Sequence, residues 1–172
     1  CNLPPGHGSD NSIRVVRPNS YSLGCGCLLC SAHSCFSYDP PDVSSVSPPT
    51  GDTDGGYSLV ISGSNFGHSG SVLVGEAAWV VDAAMSGHTE LYVTADAFEG
   101  AMLAVMVTAG NQDSSGRGVE QKKFSYNPPT VDRILSTLQV GTSGTGSSVT
   151  VTGSNFGVLG PTVTLGGVPL HV

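Results

Sequence analysis

Apolar and polar residues alternate in short runs along most of this chain: "YSLVIS" at 57–62, "SVLV" at 71–74, "WVVD" at 79–82, "ELYV" at 90–93, "LAVMVT" at 103–108 and "SVTVTG" at 148–153. A period of two over four to six residues, closed by Gly, Asn, Ser or Asp, puts successive side chains on opposite faces of an extended strand. No window of a dozen residues carries a convincing period of 3.6. The segment "GEAAWVVDAAM" at 75–85 comes nearest, and its paired valines and flanking glycines favour a strand. Short strands separated by turn signals predict an all-β chain built as a β-sandwich.

The pattern also repeats. "ISGSNFGHSG" at 61–70 returns as "VTGSNFGVLG" at 151–160, and "FSYDPPDVSSV" at 36–46 returns as "FSYNPPTVDRI" at 124–134. "SVLVGEAAW" at 71–79 falls opposite "PTVTLGGVPL" at 161–170. The front of the chain aligns with a later stretch, pairing Gly8 with Gly100, Ile13 with Val105 and Val15 with Val107. A unit of about 90 residues predicts three segments: the back part of one unit at 1–38, a complete unit at 39–127 and the front part of a third at 128–172.

Composition narrows what such units do. Only 11% of the residues are charged, and the net charge of −7 comes from 13 acids against six basic residues that form no run. Nucleic-acid binding needs clustered Lys and Arg, so it is not expected. No apolar run approaches the roughly 20 residues of a membrane helix, so membrane insertion is not expected either. The chain opens at Cys1 with neither an initiator Met nor a signal peptide, and is read as a processed product or a piece of something larger.

Each recurring motif has a physical reason. In "GSNFG" the Gly and Asn accept positive φ, which a tight turn needs, and the Phe between them, Phe66 or Phe156, is placed to plug one end of a sandwich. The motif reads as a structural corner rather than a ligand loop. The Pro-Pro pairs at 40–41 and 128–129 impose extended backbone and predict short, stiff joints between units.

Taken in order, "FSYDPP", a Pro with downstream glycines (Pro49, Gly51, Gly55, Gly56), "GSNFG", "VLVG" and "HTELYV" resemble the IPT/TIG family of immunoglobulin-like domains, and its extracellular repeat branch fits best. The resemblance covers nearly the whole chain. It implies tandem immunoglobulin-like sandwiches, one complete domain flanked by two partial ones. Family members commonly staple their sheets with a disulfide, but the two positions concerned hold Trp79 and Val93 here, so an apolar contact in the core is expected instead. Cys1 occupies the staple position of the leading segment, and Leu170 that of the trailing one.

The other four cysteines, Cys25, Cys27, Cys30 and Cys35, cluster in "GCGCLLCSAHSC". With His33 they offer zinc ligands, but the spacing matches no common zinc knuckle, and local disulfides are the preferred reading. "GDTDGG" at 51–56 brings Asp52 and Asp54 together; two carboxylates are few for calcium, and the trailing copy lacks them. His88 precedes a strand and is read as structural, while His7, His33, His68 and His171 are placed in unrelated loops. No catalytic constellation, metal site or cofactor is expected.

No N-x-[ST] sequon occurs. Ser-, Thr- and Pro-rich joints remain, and the candidates for O-linked sugar are Pro40, Pro41, Pro48, Pro49, Pro128 and Pro129 with Ser44, Ser45, Ser47, Thr50 and Thr130; bare stiff linkers are the alternative. Partial sandwiches would expose strand edges and half a core. The expected function is therefore that of a non-enzymatic extracellular or cell-surface structural protein. Its copies would self-associate head to tail into a fibril or coat by completing one another's partial domains. Longer flanking repeats would complete them equally well. An adhesion or receptor ectodomain, and an accessory module of a secreted glycan-processing enzyme, are the competing expectations.

Overall fold

The computed structural model describes residues 2–13, 16–17, 20–21, 35–68, 70–117, 122–136 and 148–171. Four two-residue strands come first: β1 (Asn11–Ser12), β2 (Val16–Arg17), β3 (Ser20–Tyr21) and β4 (Cys35–Phe36). The central region holds β5 (Asp42–Ser47), β6 (Thr50–Gly51), β7 (Ser58–Ser64), β8 (Ser71–Val74), β9 (Ala77–Val81), β10 (Glu90–Thr94), β11 (Leu103–Ala109), β12 (Gln112–Asp113) and β13 (Lys123–Tyr126). A 3-10 turn at Ser114–Arg117 is the one helical element among the described residues. β14 (Thr130–Ser136), β15 (Val149–Ser154), β16 (Val163–Leu165) and β17 (Val168–Leu170) follow.

The central strands form one hydrogen-bonded path, β5-β7-β10-β9-β8-β11-β13-β6, that folds into two layers. Two strands change layer. The first half of β9 pairs with β8, Trp79 opposite Val72, and its second half pairs with β10, Val81 opposite Val93. Likewise β5 pairs with β7, whereas β6, beyond a cis Ser47–Pro48 peptide, pairs in parallel with β13. All other central pairings are antiparallel.

Period two explains the core. Leu59 and Ile61 of β7, Val72 and Val74 of β8, Leu91 and Val93 of β10, and Val105 and Val107 of β11 all point between the layers and are buried. Their alternate neighbours face outward, as in the exposed Ser58, Ser71, Glu90 and Thr94. Phe66 is fully buried, Trp79 and Val93 belong to the same cluster, and a chain of edge-to-face rings runs Trp79–Phe124–Tyr126–Phe98 through the interior.

β5 and β14 are invisible to the alternation rule because each is bulged. In β5 the register shifts between Val43 and Ser45, so its inward positions fall three residues apart, at Val43 and Val46. An extra residue on one strand of an antiparallel pair has this effect. β14 carries the same bulge between Val131 and Arg133 against β15.

The likeness extends further. Val163 lies opposite Leu170 in the β16–β17 hairpin as Val72 lies opposite Trp79. Asn65 and Asn155 both have positive φ, at 62° and 58°, as do Gly67 and Gly157. The strand pairings β14–β15 and β16–β17 thus reproduce, pair by pair, those of β5–β7 and β8–β9.

Candidate functional site

What the trailing hairpins lack is cover. A groove of about 1160 Å³ opens between them and the end of the central sandwich, and its apolar wall includes Val131, Val149, Val151, Phe156, Val163 and Leu170. The equivalent central residues are Val43, Leu59, Ile61, Phe66, Val72 and Trp79, each no more than 7% exposed. Those six belong to the cluster that Val105, Val107 and Phe124 of β11 and β13 complete. The groove is thus walled by the counterparts of residues that the central core buries. Val131, Val149 and Leu170 are exposed, and Phe156 and Val151 are half-buried. At the other end of the chain Leu3 and Ile13 are 61% and 58% exposed.

The trailing segment meets the central sandwich through polar contacts. Asn155 Oδ1 accepts from the Thr53 amide at 3.1 Å, and Glu99 Oε2 accepts from the Val158 amide at 3.1 Å. Next to Thr53, and within the central segment, Asn127 Nδ2 donates to Asp52 Oδ1 at 2.8 Å. The leading segment meets the opposite end of the sandwich. Asn111 Oδ1 accepts from the Ser9 amide at 2.7 Å, its Nδ2 donates to Ser9 Oγ at 2.7 Å, and Gln112 Nε2 donates to the Tyr38 carbonyl at 3.1 Å.

The remaining sequence candidates fall as follows. Asp52 is engaged with Asn127 and belongs to the joint; among the described residues no group of three His, Cys, Asp or Glu is arranged for a metal ion. For His7 and His68 the reading as unrelated loops requires a correction. His7 packs over Gly67, and the rings of His68 and His88 meet edge to face at 4.6 Å, so three of them gather at one "SNFG" corner. The His88 carbonyl accepts from the Phe66 amide at 3.0 Å, while its Nε2 is buried without a hydrogen-bond partner. Sequence reasoning missed this because His7 reaches Gly67 from 60 positions away, across segments, and His68 and His88 meet across 20. Cys35 is disulfide-bonded. Cys1, Cys25, Cys27, Cys30 and His33 lie outside the described residues.

Among the sugar candidates, Pro48, Pro49, Pro128, Pro129, Ser44, Ser45, Ser47, Thr50 and Thr130 are exposed. Pro40 is half-covered and its carbonyl accepts from Asn65 Nδ2. Pro41 is fully buried, which removes it as an attachment point, since a modifying enzyme has no face of the ring to reach.

Among the described residues, two tyrosines of the interior have displaced titrations. Tyr126 is pushed up to about 12, first by burial and then by Tyr57 and Asp96. Tyr57 is raised by burial and by Asp52. Both phenols donate to backbone carbonyls, Tyr126 Oη to Asp96 at 2.7 Å and Tyr57 Oη to Asp52 at 3.1 Å, and brace the structure.

A two-layer antiparallel sandwich whose edge strand crosses between layers is an immunoglobulin-like domain. The IPT/TIG domain model matches residues 41–126, and the chain belongs to that family. No curated protein matches the chain by sequence. IPT/TIG domains are typically non-catalytic, occur in extracellular and surface proteins, and point to an adhesive, ectodomain or binding role. No helix among the described residues is long and apolar enough to cross a membrane.

Proposed function

We propose that this protein is a non-enzymatic extracellular structural subunit whose copies join head to tail, the leading segment of one copy supplying the back layer that the trailing segment of the next lacks. In this reading residues 1–38 and 128–172 are complementary parts of one IPT/TIG unit and 39–127 is a whole one. The observation that carries it is the groove: of six apolar positions buried in the central sandwich, three are exposed and three only half-buried in the trailing counterpart. The leading segment supports the choice of occupant. Ile13 aligns with Val105, and Val105 is part of the layer that buries the central core.

Covering such a face is favourable, since each fully buried Val, Leu or Phe side chain contributes about 1.5–3 kcal/mol relative to exposure. A contact in which different surfaces of identical chains meet is heterologous and propagates into a filament unless the rotation closes it. Sugar on the exposed Ser, Thr and Pro residues of the joints would coat the polymer without entering the contact. The test is the particle size of native material by light scattering and negative-stain imaging. Filaments that dissociate when Val163 and Leu170 are both replaced by Asp are expected. A stable monomer of 17.4 kDa would overturn the reading and leave the adhesive-ectodomain alternative.

A further inference from the structure

The "SNFG" corner stands at both places where successive segments touch, and in both its last glycine is covered by the same position of the preceding segment. A Cβ on Gly67 would lie 2.7 Å from His7 Nδ1, and one on Gly157 would overlap the Glu99 carboxylate. His7 and Glu99 each immediately precede a glycine of positive φ, Gly8 at 90° and Gly100 at 129°.

The surroundings of these two residues match contact for contact. The Tyr38 amide donates to the Gly8 carbonyl at 3.0 Å, as the Tyr126 amide does to Gly100 at 2.8 Å. Ser37 Oγ accepts from the Asp10 amide at 3.0 Å, as Ser125 Oγ does from Met102 at 2.8 Å. Tyr38 Oη donates to the Pro4 carbonyl at 2.8 Å, as Tyr126 Oη does to Asp96 at 2.7 Å. One frame of phenol, serine and turn therefore presents His7 in one joint and Glu99 in the other.

We infer that the last glycine of each "SNFG" corner is a docking socket, and that the single side chain presented by the preceding unit fills it and locks the two units together. The inference rests on reading 128–172 as a unit that follows the central one. The socket needs glycine twice over, for its left-handed φ and for the space a Cβ would take. At the second joint the occupant is an anion. Its oxygen takes the Val158 amide just past the turn, and a charge-assisted bond of this kind is stronger than a neutral one. Asn155, two residues before the socket, holds the Thr53 amide of the same preceding unit, so the corner grips its neighbour on two sides. The motif recurs because every joint needs the socket; the residue filling it is free to vary, and makes one joint histidine-filled and the other carboxylate-filled.

Hydrogen–deuterium exchange of the full chain, read by mass spectrometry on peptides spanning 50–57 and 154–160, tests this. Glu99→Ala is expected to speed exchange in both peptides by roughly tenfold, the scale of one lost hydrogen bond to a charged group. The core peptide 103–109 is expected to stay protected, and Glu99→Gln, which keeps the acceptor, to behave as the unaltered chain. Gly157→Ala, which fills the socket from the other side, is expected to reproduce the loss at 50–57. Unchanged protection of 50–57 in Glu99→Ala overturns the socket. Open exchange at both peptides in the unaltered chain would instead refute the docked unit itself, so the two failures are distinguishable.

Discussion

Trp79 meets Phe124 edge to face with ring centroids 5.3 Å apart, joining the strand that changes layers to the strand by which the central domain is left. The indole is 5% exposed and fills the interior. Trp79→Ala should lower the stability of the central domain by about 3–5 kcal/mol in a denaturant titration followed by circular dichroism. Trp79→Leu, which installs the residue found at the equivalent Leu170, should cost less, because most of the packed volume survives.

Tyr126 gives a pH prediction with a definite sign. Its phenol titrates near 10 when exposed and is pushed up to about 12 in the fold, so between these values the folded chain holds a proton that the unfolded chain has released. The contribution is fully present below about pH 10 and is lost as the pH rises toward 12. Unfolding midpoints measured across this range should fall. Tyr126→Phe should flatten the decline, at a cost near neutrality of about 1 kcal/mol for the lost bond to the Asp96 carbonyl.

Gly63 and Gly153 make matched tests of the bulged pairs. A Cβ at Gly63 would collide with the Asp42 carbonyl and the Phe66 ring, and one at Gly153 with the Thr130 carbonyl and the Phe156 ring. Both obstacles include backbone, which cannot swing aside. Gly63→Ala should cost the central domain about 1–3 kcal/mol by thermal unfolding. Gly153→Ala should leave that transition in place and disturb only the exchange protection of β14 and β15.

Glycosylation is checked by intact mass. A mass above that of the bare chain, with the additions mapping to residues among Ser44, Ser45, Ser47, Pro48, Pro49, Thr50, Pro128, Pro129 and Thr130, is the expected outcome. Attachment at Pro41 is not expected, because that ring is buried. A mass equal to the unmodified polypeptide would remove sugar from the proposal.

The legible parts of the fold were those where side chains alternate without interruption. β7, β8, β10 and β11 show period two, and the sequence marks all four. β5 and β14 escape because a bulge turns the period into a spacing of three, and β13 because its four residues, "KFSY", are too short to show a period. The apolar groove was legible in outline, since aligning the two copies residue by residue names its walls. The socket was not. "SNFG" read alone explains a corner and nothing more, and His7 and Glu99 share no residue type that alignment would flag. Aligning Gly8 with Gly100 pairs them, but only the structure shows that both cover a corner glycine.

The parallel pairing of β6 with β13 bears on a property that no single contact reveals. The chain enters the central domain along β5 and β6 and leaves it along β13, which runs the same way. The Ser125 amide donates to the Pro49 carbonyl at 3.1 Å and the Asn127 amide to the Gly51 carbonyl at 2.7 Å. Tension applied along the polypeptide pulls these two strands past each other, so their hydrogen bonds are loaded in shear and must yield together instead of unzipping one by one. A string of such domains resists stretching at its entry and exit strands while its interior stays unstressed.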